Sequence, residues 1–535
     1  MTLMKRIILS ILLSFVFSLS FAATERVAVL TDRSAYICGD RVWCSIFCVD
    51  ENGALSSQSA IAYLELVSSD GTSAEAKIAL FEGRGAGEFV IPANTPTGNY
   101  RLMAYTSLEG GEQSMMGSRL ISVYNPLSLA RVKNGVVTGQ AAEAVLQQDC
   151  REGISLQVQE KVGRGEKFNL FLRGAESDLT VSVYHENELA QLPNGTLAEF
   201  MGKFPISSEA GGPVEFDGEI IRGRVLNSEE DGMAILSSSG SSADIYVSPV
   251  GEGTSIQFET DNLYGDRELV CEMLNAGDNI RIQLASPFQH PSAGELPALR
   301  LHDSQREALS AGLRSVGARG YISDTLVRFL PRREDRFLRQ EDMTRIHLDD
   351  YTRFLSIQEI VVEILPMVRI RKHYGKKQLE LQVADGASSR KVYMDHILVM
   401  MDGVIISDFD LLLPLDAMLL EDIYIYSGRI VIGPAVFNGA INFVSKKNYV
   451  TALDFPSSVC VVDYKGVSYP VAYLGETISG EDSRQLLYWN PALLHKEDDR
   501  IVLTAPDYPG RFCIVAEGLS PDGKAVRAVT HFDVE

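Results

Sequence analysis

The sequence of 535 residues predicts a mainly β protein, with several β-sandwich domains in a row and one α+β domain among them. Three observations predict it. Short runs of alternating apolar and polar residues recur, as in Ile61-Ala62-Tyr63-Leu64-Glu65-Leu66 and Tyr100-Arg101-Leu102-Met103-Ala104-Tyr105. Turn clusters separate them, such as Asp50-Glu51-Asn52-Gly53, Ser69-Asp70-Gly71 and Thr95-Pro96-Thr97-Gly98. One stretch, 356–450, breaks that rhythm with a helix cap and a short helical signal set between strands.

The N-terminus sets the expected compartment. Lys5 and Arg6 precede an apolar run from Ile7 to Phe17, and Ser20-Phe21-Ala22 supplies small residues two apart. That is the layout of a secretory signal peptide over 1–22, with an N-terminal anchor helix as the alternative. The run is shorter than the about 20 residues of a membrane-crossing helix, so no integral span is expected after cleavage. The expectation is an exported chain, periplasmic or associated with the outer membrane, with the cell surface as the alternative. A formal charge of −22 disfavours nucleic acid or anionic lipid as the main partner.

Seven cysteines occur, with no CxxC pair and no zinc-type spacing. Cys44 and Cys48 share one face of a strand and read as small apolar core residues. Cys460 and Cys513 lie in apolar strand-like runs near the C-terminus and are a candidate disulfide, since spacing does not set connectivity.

Residues 23–125 read as the first sandwich. Within them "TDRSAYICGDRVWCSIFCVD" and "FEGRGAGEFVIPANTPTGNYRLMAYTS" resemble the MG2 domain of macroglobulin-type proteins. Tyr36-x-x-Gly39-Asp40 opens into a strand, and a Gly98-x-Tyr100 strand closes the domain. The resemblance implies an Ig- or macroglobulin-like sandwich with a structural or protein-contact role. A second sandwich is expected over 126–216, from runs such as Lys167-Phe168-Asn169-Leu170-Phe171-Leu172. A third, over 217–288, resembles a carboxypeptidase-regulatory-like sandwich, with "NSEEDGMAILSSSGSSADIYV" replacing the usual Gly-rich loop.

Pro287, Pro291 and Pro297 open a connector over 289–355, in which Asp303 to Leu313 reads as a short helix. The charged run "PRREDRFLRQED" reads as a solvated loop, with a docking patch as the alternative. Ser356-Ile357-Gln358-Glu359 caps a helix that Pro366 ends. Strands then follow to Asp402-Gly403, a hairpin-turn pair. A helical piece is expected to open at Pro414 and end near Leu420, before the strand Asp422 to Gly428 and the strand Ala440 to Ser445.

This order resembles the plug domain of TonB-dependent receptors. The matching residues are Asp402, Gly403 and Val404; Leu412 and Pro414; Ile423, Ile425 and Gly428; and Gly439, Ile441, Asn442, Lys446 and Lys447. The usual Tyr-Gly step before the last strand is replaced by Val436-Phe437-Asn438-Gly439. The resemblance implies a fold role for these residues. Gly428 and Gly439 read as supplying special backbone angles or close packing. After Lys447, 535 − 447 = 88 residues remain, against on the order of 200 for the strands of a 22-stranded plugged barrel. The expectation is a plug-like domain without a barrel, and residues 451–535 read as a C-terminal sandwich.

Catalytic patterns are missing. The sequence has no Walker loop, no His-Glu-x-x-His, no Gly-x-Ser-x-Gly and no thioester Cys-Gly-Glu-Gln. Its eight histidines are scattered, and acidic pairs such as Asp408 with Asp410 lack the spread of an EF-hand loop. No catalytic residue, cofactor or metal site is expected. The expected function is non-enzymatic, through a protein partner in the outer membrane or periplasm, by docking to a transporter or assembly complex. The alternative is a macroglobulin-like protease-binding or adhesive protein without a thioester.

Overall fold

The computed structural model describes residues 25–109, 117–140, 144–202, 212–227, 232–239, 244–261, 263–274, 279–317, 327–328, 343–373, 375–384, 391–474 and 482–535. The signal-like segment and the charged run at 331–342 lie outside them. The protein is mainly β, and it divides into two compact units. One is built from 1–218, 288–330 and 467–535, the other from 219–287 and 331–466.

The first unit begins with a sandwich. On one side Glu25–Thr31 pairs with Arg41–Asp50, which pairs with Arg84–Val90. On the other, Gly71–Phe81, Ile61–Ser68, Gly98–Tyr105, Arg119–Tyr124 and Ala35–Ile37 follow in spatial order. Val27, Val42, Ile46, Leu64, Ile78, Tyr100 and Ile121 meet between the layers, and Cys38, Cys44 and Cys48 are core residues among them. The strand Arg41–Asp50 is buried along both faces because Phe47 and Val49 enter a second cluster with Leu197 and Phe200. Burying Glu25 is tolerated because Ser56 Oγ, Ser59 N, Ser59 Oγ and Thr106 Oγ1 all donate to its carboxylate.

The second half of this unit differs from the expectation of separate sandwiches over 126–216 and 451–535. Ser177–His185 lies between Gly510–Leu519 and Leu486–His495, antiparallel to both. Lys167–Gly174 pairs with Ile154–Gln157 on one side and with Asp498–Thr504 on the other. Both segments therefore supply strands to the same sheets. Leu170, Leu172, Val181 and Val183 from the first, with Phe512, Ile514 and Phe532 from the second, form one core. The reason is physical: Ser177–His185 is an interior strand, and its backbone groups need a neighbour on each edge.

The second unit contains a three-stranded sheet (Ser255–Glu259, Ile220–Leu226, Arg281–Leu284) facing a four-stranded one (Asp244–Pro249, Met233–Ser238, Arg267–Met273, Cys460–Tyr464). Ile221, Val225, Leu236, Phe258 and Leu269 fill the space between them. The last strand again comes from the stretch expected to form a C-terminal sandwich. Beside these runs a mixed five-stranded sheet in the order Thr344–His347, Leu420–Tyr426, Ala440–Ser445, Leu398–Met401 and Val404–Ile405. Its outer strand belongs to the expected connector. Arg345 and His347 both bond Asp422 across that pair, at 2.8–3.0 Å.

A chain ending at Gly466 strips Ser177–His185 of both neighbours. It is expected to expose 150–185 to limited proteolysis and to lose the corresponding thermal transition by circular dichroism, while 219–287 and 344–466 stay protected. Unchanged protection of 150–185 would refute the pairing.

Candidate functional site

The sheet around Asp402 gathers most of the sequence-singled residues. Leu398–Met401 and Val404–Ile405 form a tight hairpin, with Asp402 at φ 51° and Gly403 at φ 86° between them. Two successive positive φ values are what a two-residue primed turn needs, and Asp and Gly tolerate them best. Val404 is fully buried. The Asp402 carboxylate is buried too and accepts from Ser445 N (2.6 Å), Ser445 Oγ (2.7 Å) and Val450 N (3.2 Å). Asn442 Oδ1 accepts from Gly403 N at 3.2 Å. The hairpin is thereby tied to Ala440–Ser445, which also runs parallel to Leu398–Met401.

Gly439 needs no special backbone angle. A Cβ there would meet Leu381 Cδ2 at 2.5 Å and Tyr426 O at 2.8 Å, so close packing requires the glycine. At Gly428 the obstacle is the Tyr426 ring, 2.8 Å away. Pro414 departs from its expected place. The helix is Phe409–Leu412, capped by Asp408 Oδ1 accepting from Asp410 N at 2.9 Å, and it ends before the proline. A separate 3₁₀ turn, Ala417–Leu419, starts after Asp416. Pro414 cannot donate the next helical bond. The carbonyls beside it, Leu413 O and Leu415 O, instead accept from Gln358 and Ile357, the first N–H groups of the helix Ile357–Glu363. Ser356 caps that helix by accepting from Glu359 N.

Exposed apolar side chains mark the same region. Ala417 N bonds Leu355 O, which sets Leu355 (76 % exposed) beside the turn bearing Met418 (45 %). Val431 (60 %) and Val436 (42 %) stand directly opposite each other on the small hairpin Ile430–Ile432/Ala435–Phe437. The inner face of that hairpin packs Ile430, Ala435 and Phe437 against Ile235 and Ile245.

Cys460 and Cys513, the candidate disulfide, are both free thiols in separate units. Cys460 stands opposite Cys271 in register, whereas Cys513 stands between Tyr184 and His531. The two runs looked alike in sequence, and different strand partners separated them.

Glu272 was not singled out in the sequence. Burial pushes its carboxyl up to about 7, with the nearby Asp408 charge adding to the rise and the 2.7 Å bond from Ser407 Oγ opposing it. That bond ties the strand Arg267–Met273 to the chain just after the Asp402 hairpin. No pattern marked it, because a lone Glu in "LVCEM" reads as a solvent-facing strand position. In the first unit Glu186 converges with Cys513 and His531, which lie much further along the chain.

No family profile and no curated protein matches the chain. Among solved structures it is similar to a Salmonella alpha-2-macroglobulin reacted with methylamine, at 10 % identity and a TM-score of 0.24, over 95 % of this chain and 39 % of that one. Native Escherichia coli alpha-2-macroglobulin gives 9 % identity, a TM-score of 0.25, and 96 % and 40 % coverage. The Escherichia coli adhesin FdeC gives 11 %, 0.15, and 52 % and 65 %. The chain thus spans about two fifths of the length of the macroglobulins it matches.

Replacing Asp402 with Ala orphans buried donors at Ser445 and Val450, so Asp402→Ala is expected to cost about 3 kcal/mol in urea unfolding of the second unit. A change within about 0.5 kcal/mol would show that the carboxylate does not hold the hairpin. Glu272 has a separate signature. Its folded value near 7 lies above the ordinary 4.5, so between these the folded chain binds the extra proton. Stability should therefore fall as pH rises through that window, by up to about 3 kcal/mol, and level off above it. Denaturant melts of Glu272→Gln against the unsubstituted chain test this: the variant's slope in that window should be smaller.

Proposed function

We propose that this chain is a non-enzymatic, exported envelope protein that works by protein–protein contact, with residues 356–450 as a plug-like docking module. The carrying observation is the apolar display on and beside that module. Val431 and Val436 are paired outward on a hairpin whose other face is buried, and Leu355 lies beside the Met418 turn. Apolar side chains presented together on rigid elements mark contact surfaces. The order of the Asp402-Gly403-Val404, Leu412-x-Pro414, Ile423-x-Ile425 and Gly439-x-Ile441-Asn442 blocks, all within or beside one sheet, supports the plug resemblance. The partner that fits is a barrel protein of the outer membrane, a transporter or an assembly complex.

A second reading is a macroglobulin-like protease-binding or adhesive protein. It is favoured by the Tyr36-x-x-Gly39-Asp40 turn, where Asp40 Oδ2 accepts from Ile37 N and Tyr36 OH donates to Asp32. Complex formation with added proteases, unaffected by changes at Val431, would favour it.

The docking reading is tested with Val431→Glu/Val436→Lys and Leu355→Glu, all at exposed positions, with circular dichroism checking that each variant folds. Photo-crosslinking in outer-membrane extracts should recover a barrel protein with the unsubstituted chain. Recovery should drop at least about tenfold with either variant, which corresponds to about 1.4 kcal/mol of lost contact. Absence of any barrel partner, or equal recovery with both variants, would sink the reading.

A further inference from the structure

We propose that Glu186, Cys513 and His531 form a binding site for a divalent transition-metal ion of the zinc class. The three come from neighbouring strands of one sheet. Cys513 and His531 are direct cross-strand partners, and Glu186 follows Ser177–His185, the strand on the other side of Cys513. Phe512, Ile514 and Phe532 point into the core, so the alternating Cys513 and His531 occupy the opposite face. There the Cys513 thiol, the His531 imidazole and the Glu186 carboxylate each present one ligand atom, all within 4.8 Å of one another.

The donor set is the mixed sulfur, nitrogen and oxygen kind that zinc takes, and calcium or magnesium do not. The spacing leaves room for an ion. His531 Nε2 and Glu186 Oε2 are 3.4 Å apart, and their side chains are 9 % and 3 % exposed. Neither atom makes a hydrogen bond of ordinary length; burial opposes protonation of His531, but Glu186 and Asp149 beside it outweigh that and raise its pKa, so an ion bound here replaces a proton. A histidinium bonded to a carboxylate closes to about 2.7–2.9 Å. Two ligands on one tetrahedral zinc, with bonds of about 2.0–2.2 Å, stand about 3.3–3.5 Å apart. The observed gap is wide enough to seat an ion between the two atoms.

The surroundings fit as well. Asp149 Oδ1 lies 2.7 Å from His531 Nδ1, a carboxylate placed to hold that proton and leave Nε2 as the free donor of an electron pair. Gln147 N donates to Glu186 Oε1 at 2.8 Å, leaving Oε2 for the ion. The approach of Arg511 Nε to that oxygen is loose, at 3.6 Å from a half-exposed side chain that can withdraw into solvent. Binding releases the thiol proton, which burial otherwise holds on Cys513, and forms three protein–metal bonds. A comparable trio, Glu65, Glu75 and His290, differs because Tyr105 OH, Gln289 N, His290 N and Thr72 Oγ1 already donate to Glu65.

The test uses the whole chain, stripped with a chelator and titrated with cobalt(II) as a spectroscopic stand-in for zinc. One equivalent should give tetrahedral visible bands and a thiolate-to-cobalt charge-transfer band, both abolished by added zinc. Cys513→Ser should remove the charge-transfer band and His531→Gln should remove tight binding. Asp149→Asn should weaken binding by about 10–100-fold, and Cys271→Ser should change nothing. Circular dichroism spectra matching the unsubstituted chain would exclude misfolding as the cause. A missing charge-transfer band, or one that survives in Cys513→Ser, would overturn the proposal. So would a histidine NMR signal showing His531 protonated and unmoved by zinc.

Discussion

The structure depends on one constraint: an interior strand needs a hydrogen-bonded neighbour on each edge, wherever in the chain those neighbours are. Ser177–His185 finds both beyond residue 485. Gly510–Leu519 and Leu486–His495 are therefore integral to a sheet that begins near residue 150, and the second unit is threaded into the chain between the two halves. Closing such long loops costs entropy that grows only slowly with length, so the arrangement is thermodynamically affordable and kinetically demanding. The return on closure is a shared core in which Phe512 and Phe532 stack at 5.3 Å over Leu170, Val181 and Val183.

Buried polar groups are treated in two ways. Glu25 and Asp402 are saturated, each with several donors, and so act as fixed internal clamps. Glu272 is held by Ser407 in surroundings that favour its neutral form, and Glu186 Oε2 and His531 Nε2 face each other at 3.4 Å without closing to an ordinary hydrogen bond. Satisfied groups specify the fold; under-satisfied ones mark places where protons or ions can act.

Much of this was legible locally. The Ser356 cap, the helix expected over Asp303 to Leu313 (a 3₁₀ turn Asp303–Gln305 leading into a helix Arg306–Gly317) and the Asp402-Gly403 hairpin each rest on contacts a few residues apart. Cys44 and Cys48 read as core from alternation alone. Pro414 was placed at a helix start because its fixed φ suits one. The N–H groups of the helix Ile357–Glu363, distant in sequence, took the carbonyls on either side of it and drew that stretch out of a helix. The candidate site was half legible: the hairpin and the Asn442 strand carried motifs, whereas Glu272 and the Glu186, Cys513 and His531 trio carried none.

The sequence by itself determined where strands and turns form, because period-two alternation and turn chemistry act over a few residues. It determined the mainly β class for the same reason. Only the tertiary structure decided which strands share a sheet. Val461 and Ile514 sit in similar apolar runs, yet one joins Val270 and the other Val183. Strand pairing is set by which backbone edges remain open and which faces must be buried together, and neither is encoded within a single run.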